Sequence, residues 1–113
     1  MRWFLRSKIH KAKVTDTDLN YVGSIGIDKA LMEKTGILSG EKVLVVDNTN
    51  GARLETYAIE GEENSGKIII YGAASRLIKK GDEIIIMGFE LADGKVKVKN
   101  VLVDENNKFI KFL

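Results

Sequence analysis

Short runs of β-branched and aromatic residues, broken by Gly, Asn and Asp, fill most of this chain. That pattern predicts a small sheet that closes, or nearly closes, on itself. Near the N-terminus, Trp3, Leu5 and Ile9 share one parity, whereas Ala12 and Val14 share the other. Strand side chains alternate between faces, so the slip requires a bulge or bend near His10. Residues 28–35 read as a short helix, with Asp28 as cap, Leu31 and Met32 as its apolar face and Gly36 to end it. Residues 43–46 have strand character. Asn50-Gly51 predicts a tight turn, since both residues tolerate positive φ. It hands over to a strand across residues 52–59.

Further along, a polar turn at 62–66 precedes a strand at 67–71, and residues 73–78 predict one or two helical turns. Residues 79–82 turn the chain into a strand over 83–91. Ala92-Asp93-Gly94 and Glu105-Asn106-Asn107 separate the last short strands. Ile68-Ile69-Ile70 and Ile84-Ile85-Ile86 lack clean alternation, which suits strands covered on both faces. In a chain of 113 residues, barrel closure or subunit contact must supply the second cover. The pattern therefore predicts one mainly β domain over residues 1–113, a barrel with one or two short helices.

Composition narrows the chemistry. Apolar residues make up 44% and charged residues 30%, as in soluble globular proteins. No apolar run approaches the roughly 20 residues that span a bilayer, and no signal-peptide layout precedes the first charges. The cytoplasm is the expected compartment. Cysteine is absent, which removes disulfides, thiolate catalysis and Cys-ligated metals. With His10 as the single histidine, a zinc site or a His-based triad is not expected.

The net charge of +2 is unevenly placed: Arg2, Arg6, Lys8, Lys11 and Lys13 precede any acid, and the remainder holds 13 bases against 16 acids. Two readings fit, a nucleic-acid arm or a strand whose basic face is solvated or meets small anions.

The stretch Asn20-Tyr21-Val22-Gly23-Ser24-Ile25 carries the most specific signal, because it holds the only Gly-Ser pair in the chain. Taken alone, such a pair marks a flexible turn. Here Lys8-Ile9-His10 lies upstream. Ile27-Asp28, then residues 50–57 (Asn-Gly-Ala-Arg-Leu-Glu-Thr-Tyr), then Gly72-Ala73-Ala74 follow downstream. In order and spacing these segments resemble the pyruvoyl-dependent aspartate 1-decarboxylase family (aspartate alpha-decarboxylase), over roughly residues 2–90.

The resemblance implies a double-psi β-barrel assembled as a homotetramer with active sites between subunits. It implies that Ser24 Oγ attacks the Gly23 carbonyl carbon, giving an ester by N-to-O acyl shift. β-Elimination then leaves dehydroalanine at position 24, and loss of ammonia to water leaves a pyruvoyl group. The products are chains of residues 1–23 and 24–113. That group, and neither a metal nor pyridoxal phosphate, would form a Schiff base with L-aspartate and draw electrons as carbon dioxide leaves. The product is β-alanine, for pantothenate and coenzyme A. The resemblance also leaves room for an accessory activator of processing, and it implies neither a nucleic-acid nor a membrane partner.

Residue by residue, Thr56 matches the threonine that stabilises the processing intermediate and meets substrate. Tyr21 and His10 match a pair supporting the segment, although His10 alone reads as a hydrogen-bonded structural residue. Lys8 and Arg53 match the bases that bind the substrate carboxylates; alone, each reads as an exposed strand-end base. Tyr57 matches the tyrosine that returns a proton to the substrate; alone, it reads as a packed strand aromatic. Gly72, Ala73 and Ala74 match a loop whose backbone N–H groups approach the substrate, and alone they read as a tight turn. Tyr71 departs from the family, which commonly has Asn there, and Val46 stands where some members carry Trp. Two other functions compete: a small basic β-barrel that binds nucleic acid, and an inactive barrel homologue that is never processed.

Overall fold

Strand β1 (Arg2–Lys13) is the spine of the molecule, and two irregularities shape it. In the computed structural model, which covers residues 1–113, β1 pairs antiparallel with β7 (Glu83–Ala92). On its other edge it pairs parallel with β8 (Lys99–Val103). The anticipated bulge lies between Ile9 and Ala12, where Lys11 takes φ 64°. A second bulge between Leu5 and Ser7 was not legible in the apolar pattern. It reverses the faces again. Ser7 and Ile9 are buried, whereas Trp3 is 70% exposed, so Trp3 does not share an inner row with Ile9. Ser7 is tolerated inside because its hydroxyl donates to the Thr35 carbonyl at 2.6 Å. Arg6, in the bulge, pairs with Glu41.

The other elements are β2 (Asp16–Asp18), β3 (Ser24–Asp28), α1 (Lys29–Thr35), β4 (Lys42–Asp47), β5 (Arg53–Gly61), β6 (Ile68–Tyr71), a 3-10 turn (Gly72–Arg76) and β9 (Phe109–Phe112). Hydrogen bonding orders the strands β2-β6-β3-β5-β4-β7-β1-β8-β9. Only Val14 and Thr15 separate β1 from β2. Val14 N–H donates to Asp82 O at 3.0 Å and Thr15 N–H to Ile68 O at 2.8 Å. The chain thus bends from one side of the strand order to the other, and the sheet closes into a barrel. Parallel pairs β2/β6, β3/β5 and β1/β8 are interspersed among antiparallel ones. This is the mainly β architecture expected, with one short helix and one 3-10 turn. Asp28 caps α1 through a 2.9 Å bond from Ala30 N–H, and Gly36 ends it in the left-handed region.

The buried apolar side chains form a single cluster that includes Ile25, Ile27, Leu31, Met32, Ile68, Ile70, Ile84 and Ile86. Barrel and helix therefore share one core. Burying each large aliphatic side chain contributes about 1.5–3 kcal/mol. The isoleucine triplets do alternate once folded: Ile68, Ile70, Ile84 and Ile86 are buried, whereas Ile69 and Ile85 face outward, half-buried.

The C-terminal quarter is bound into this core rather than appended to it. Asn107, buried at φ 59°, accepts from Lys13 N–H at 2.8 Å. Its amide nitrogen donates to Lys13 O at 2.9 Å and Gly66 O at 2.8 Å. Truncation leaves those groups buried without partners. Asn107→Ala is expected to cost about 2–4 kcal/mol, read as a lowered urea midpoint at fixed protein concentration; an unchanged midpoint would refute the clasp.

Asp47 and Asp82 form a second buried polar device. Asp47 Oδ1 accepts from Thr49 N–H at 2.7 Å and Asn50 N–H at 3.3 Å, and Asp82 Oδ2 accepts from Lys79 N–H at 3.0 Å. Asp47 Oδ2 is buried and meets no N–H or hydroxyl donor; its neighbour is the Asp82 carboxyl. Neighbouring carboxyls ionise together only at a cost, which a proton held between them relieves. Burial, then the Asp82 contact, pushes the Asp47 carboxyl up, and the hydrogen bond from Asp47 holds Asp82 down. Asp47 therefore contributes stability at low pH and loses it as pH rises through its raised folded value. Asp82 contributes above its unfolded value and loses stability only as pH falls through its lowered folded one. Asp47→Asn keeps a donor toward Asp82 and cannot ionise. Its stability relative to the parent protein is expected to climb as pH rises through the raised Asp47 value. Parallel pH profiles of the urea midpoint would refute the shared proton.

Candidate active site

The Gly23–Ser24 bond crosses an abrupt boundary. Gly23 is exposed, and Ser24, the first residue of β3, is 2% exposed. All five residues of β3 are buried because the strand is flanked by β5 and β6. Ile25 and Ile27 enter the core; Ser24, Gly26 and Asp28 alternate onto the opposite face. Ser24 Oγ donates to Val22 O at 3.1 Å, one carbonyl before that of Gly23. Attack on the Gly23 carbonyl carbon would close a ring of five atoms through Cβ, Cα and N.

Gly72 fixes the segment from the other side. It follows Tyr71, which pairs with Ser24 across β6 and β3. A Cβ on Gly72 would lie 2.6 Å from Gly23 Cα, 3.0 Å from Gly23 N and 3.3 Å from Tyr21 O. With φ +77° as well, only glycine fits this approach. The Tyr21 ring rests on the Tyr71 ring, centroids 4.6 Å apart at 48°. Burial, reinforced by Tyr21, Asp18 and Asp16, raises the Tyr71 phenol, which stays protonated.

Strand β5 brings the next residues. Ile25 pairs with Ala58, so Tyr57 lies level with Ser24 and shares its outer face. Tyr57 is 37% exposed. Thr56 alternates inward with Ala58 and is half-buried. Arg53 opens β5 on the outer face, about 13 Å along the strand from Tyr57. The turn before it differs from expectation: Gly51 alone takes positive φ, at 81°, and Asn50 does not. Asn50 instead uses its side chain, donating to Leu77 O at 2.7 Å and accepting from Ala52 N–H at 2.8 Å. The turn feeding Arg53 is thereby tied to the segment following Ala73 and Ala74. Ala73 is exposed and Ala74 packs against the core.

Lys8 and His10 lie elsewhere. Both face outward from β1, beside Asn100 and Leu102 of β8. In the strand order, β7 and β4 stand between them and Arg53, presenting the half-exposed side chains of Met87, Ile85, Leu44 and Val46. Ser24 is one strand further round. His10 Nδ1 is buried with no hydrogen-bond partner in the chain, and Tyr21 packs on Tyr71 rather than on His10. Burial, then Lys8 and Lys11, lowers the imidazole, while Glu83 opposes them, so His10 is neutral at neutral pH. One chain thus assembles Tyr21, Gly23, Ser24 and Gly72, with Thr56 and Tyr57 alongside, and leaves Lys8 and His10 on another side of the barrel.

A group made from Ser24 fits these surroundings: the backbone before the serine is clamped by Gly72, and the strand after it is paired on both edges. No group of three or more His, Cys, Asp or Glu side chains is placed to hold a metal ion. No helix is long and apolar enough to cross a membrane.

Comparison with known proteins identifies the family. Residues 1–110 match the family model described as aspartate decarboxylase. An aspartate 1-decarboxylase of Clostridium botulinum is 56% identical over 105 residues, covering 93% of this chain and 76% of the relative. One from Thermoanaerobacter pseudethanolicus is 55% identical over 111 residues, covering 95% of each. One from Staphylococcus epidermidis is 49% identical, covering all of this chain and 91% of the relative. The chain belongs to the aspartate decarboxylase family.

Proposed function

We propose that this protein is a pyruvoyl-dependent aspartate 1-decarboxylase that builds its own electrophile by cutting between Gly23 and Ser24. The observation that carries the reading is the contact of Gly72 on Gly23 beside a buried serine hydroxyl, in a member of this family. Ser24 Oγ attacks the Gly23 carbonyl carbon. The C–N bond breaks, the Ser24 nitrogen takes up a proton, and an ester forms. Loss of the residue-24 Cα proton with cleavage of Cβ–Oγ releases Gly23 as a carboxylate. Water then replaces the nitrogen as ammonia, leaving the pyruvoyl group on the 24–113 chain. When present, that group supplies an electron-withdrawing carbonyl to the amino acid bound beside it.

The chain's own residues do the rest. Thr56 donates toward the oxyanion that forms at Gly23. Arg53 grips one carboxylate of L-aspartate bidentately, and Lys8 offers a point charge to the other. Tyr57, on the face of Ser24, holds the proton that the product carbon receives as β-alanine forms. Backbone N–H groups of Gly72, Ala73 and Ala74 face the substrate. β-Alanine is the precursor that pantothenate and coenzyme A synthesis consumes, and the cytoplasm is its place of manufacture.

The separation of Lys8 from Ser24 by four strand steps in one chain supports active sites shared between subunits of a homotetramer. The apolar outer strip of Leu44, Val46, Ile85 and Met87, flanked by Lys8 and Arg53, is the surface that receives a second copy's processed segment.

Ser24→Ala is expected to fold and remain one chain on denaturing electrophoresis, while the parent protein yields fragments of residues 1–23 and 24–113 by mass. A parent chain that stays intact after prolonged incubation would point to an inactive barrel instead. Tyr57→Phe is expected to cleave normally but to lose about 10²-fold or more in β-alanine formation. Undiminished turnover in that variant would remove the phenol from the chemistry.

A further inference from the structure

Tyr71 touches the processing segment on both sides of the bond to be cut. Before it, the Tyr71 ring carries the ring of Tyr21, at 4.6 Å between centroids. After it, the same ring lies on Gly26: a Cβ built on Gly26 would be 3.1 Å from Tyr71 Cε2 and 3.7 Å from Tyr71 Oη. Gly26 sits within a buried strand between two core isoleucines, where a glycine ordinarily weakens the sheet. Its φ is not in the left-handed region, so no backbone conformation demands it. The open space it leaves is filled by the edge of the Tyr71 ring.

Tyr71 and Gly26 thus act as a lock. The ring seats in the gap at position 26, two residues beyond Ser24, and from there props Tyr21, three residues before Ser24. Tyr71 also leads directly into Gly72, whose backbone presses on Gly23. The side chain therefore restrains the two flanks of the Gly23–Ser24 bond, and the next residue restrains its centre. We propose that Tyr71, seated on Gly26, is a positioning residue for self-cleavage, holding residues 21–26 in the bent path from which Ser24 Oγ reaches the Gly23 carbonyl. The role belongs to the ring rather than to the phenol hydroxyl, which has no hydrogen-bond partner among the side-chain bonds of the segment. This inference rests on the self-cleavage reading above.

Removing the ring frees Tyr21 and relaxes the flanks. Adding a methyl at position 26 forces the ring to shift by a few tenths of an ångström, because the contact is tighter than ordinary van der Waals packing, and it disturbs the same flanks. Each change alone costs rate; together they cost little more than one, since both break the same contact.

The test is the rate of cleavage of freshly purified full-length precursor, followed by denaturing electrophoresis and mass spectrometry. The temperature is one at which circular dichroism shows every variant folded. Tyr71→Ala and Gly26→Ala are each expected to slow cleavage about tenfold or more, the loss typical of a misoriented near-attack geometry. The double variant is expected to cleave within about threefold of Tyr71→Ala, and Tyr71→Phe within about twofold of the parent protein. Multiplied losses in the double variant would overturn the coupling, and a loss in Tyr71→Phe as deep as in Tyr71→Ala would transfer the role to the hydroxyl and overturn the inference. If Tyr71→Ala does not fold, Gly26→Ala decides alone: parental cleavage in the folded variant overturns the lock. A parent chain that never cleaves removes the self-cleavage reading and the lock with it, whereas a cleaving parent matched by equally fast variants removes only the lock.

Discussion

Two stretches of backbone meet at Gly72 and Gly23 with no room for a methyl group between them. The local architecture around Ser24 serves that contact. Strand β6 delivers Gly72 to it, and the pairing of β6 with β3 sets the register that puts Ser24 opposite Tyr71. Closing the sheet through Val14 and Thr15 holds β6 in place from its far edge, because Thr15 bonds Ile68 with both its backbone and its side chain. A serine hydroxyl is a weak nucleophile unaided. What this barrel supplies is confinement of the chain around it, by packing in which core density leaves little slack.

Much of the fold was legible because turn residues and periodicity agree with it. The helix, its caps, and the strands from residue 42 to residue 92 fall within a residue or two of expectation. The bulge near His10 announced itself as a parity slip. The bulge at Arg6 did not, since it hides between residues whose polarity already looked regular. Trp3 and Leu5 seemed to continue the row of Ile9, whereas Ser7 is the inner residue. A serine facing the core leaves no hydrophobic mark; only its bond to Thr35 explains it.

Motif order, more than local physics, marks the candidate site. Order could point to Ser24, Tyr57 and Arg53, but not to what holds them. Asn50 sits in the turn that the sequence predicts, and its side chain also ties that turn to Leu77. Asn107 reads as a separator between short strands, yet it joins its own segment to those of Lys13 and Gly66. Long-range hydrogen bonds of this kind carry no local signature. Gly26 did carry one, an isolated glycine inside an apolar strand, which marks close approach by a neighbour; Tyr71 is that neighbour.

Because β1 lies between β7 and β8 and runs on into β2, the peptide of residues 1–23 is a central stave of the barrel, not a leader attached to its rim. Severing the chain after Gly23 nicks a closed hoop at one point while every neighbouring stave stays laced. The two pieces are then a complementing pair whose separation requires unfolding the whole. A cut there, where another architecture would shed a propeptide, would leave the particle the same size and free new chain ends only beside Ser24.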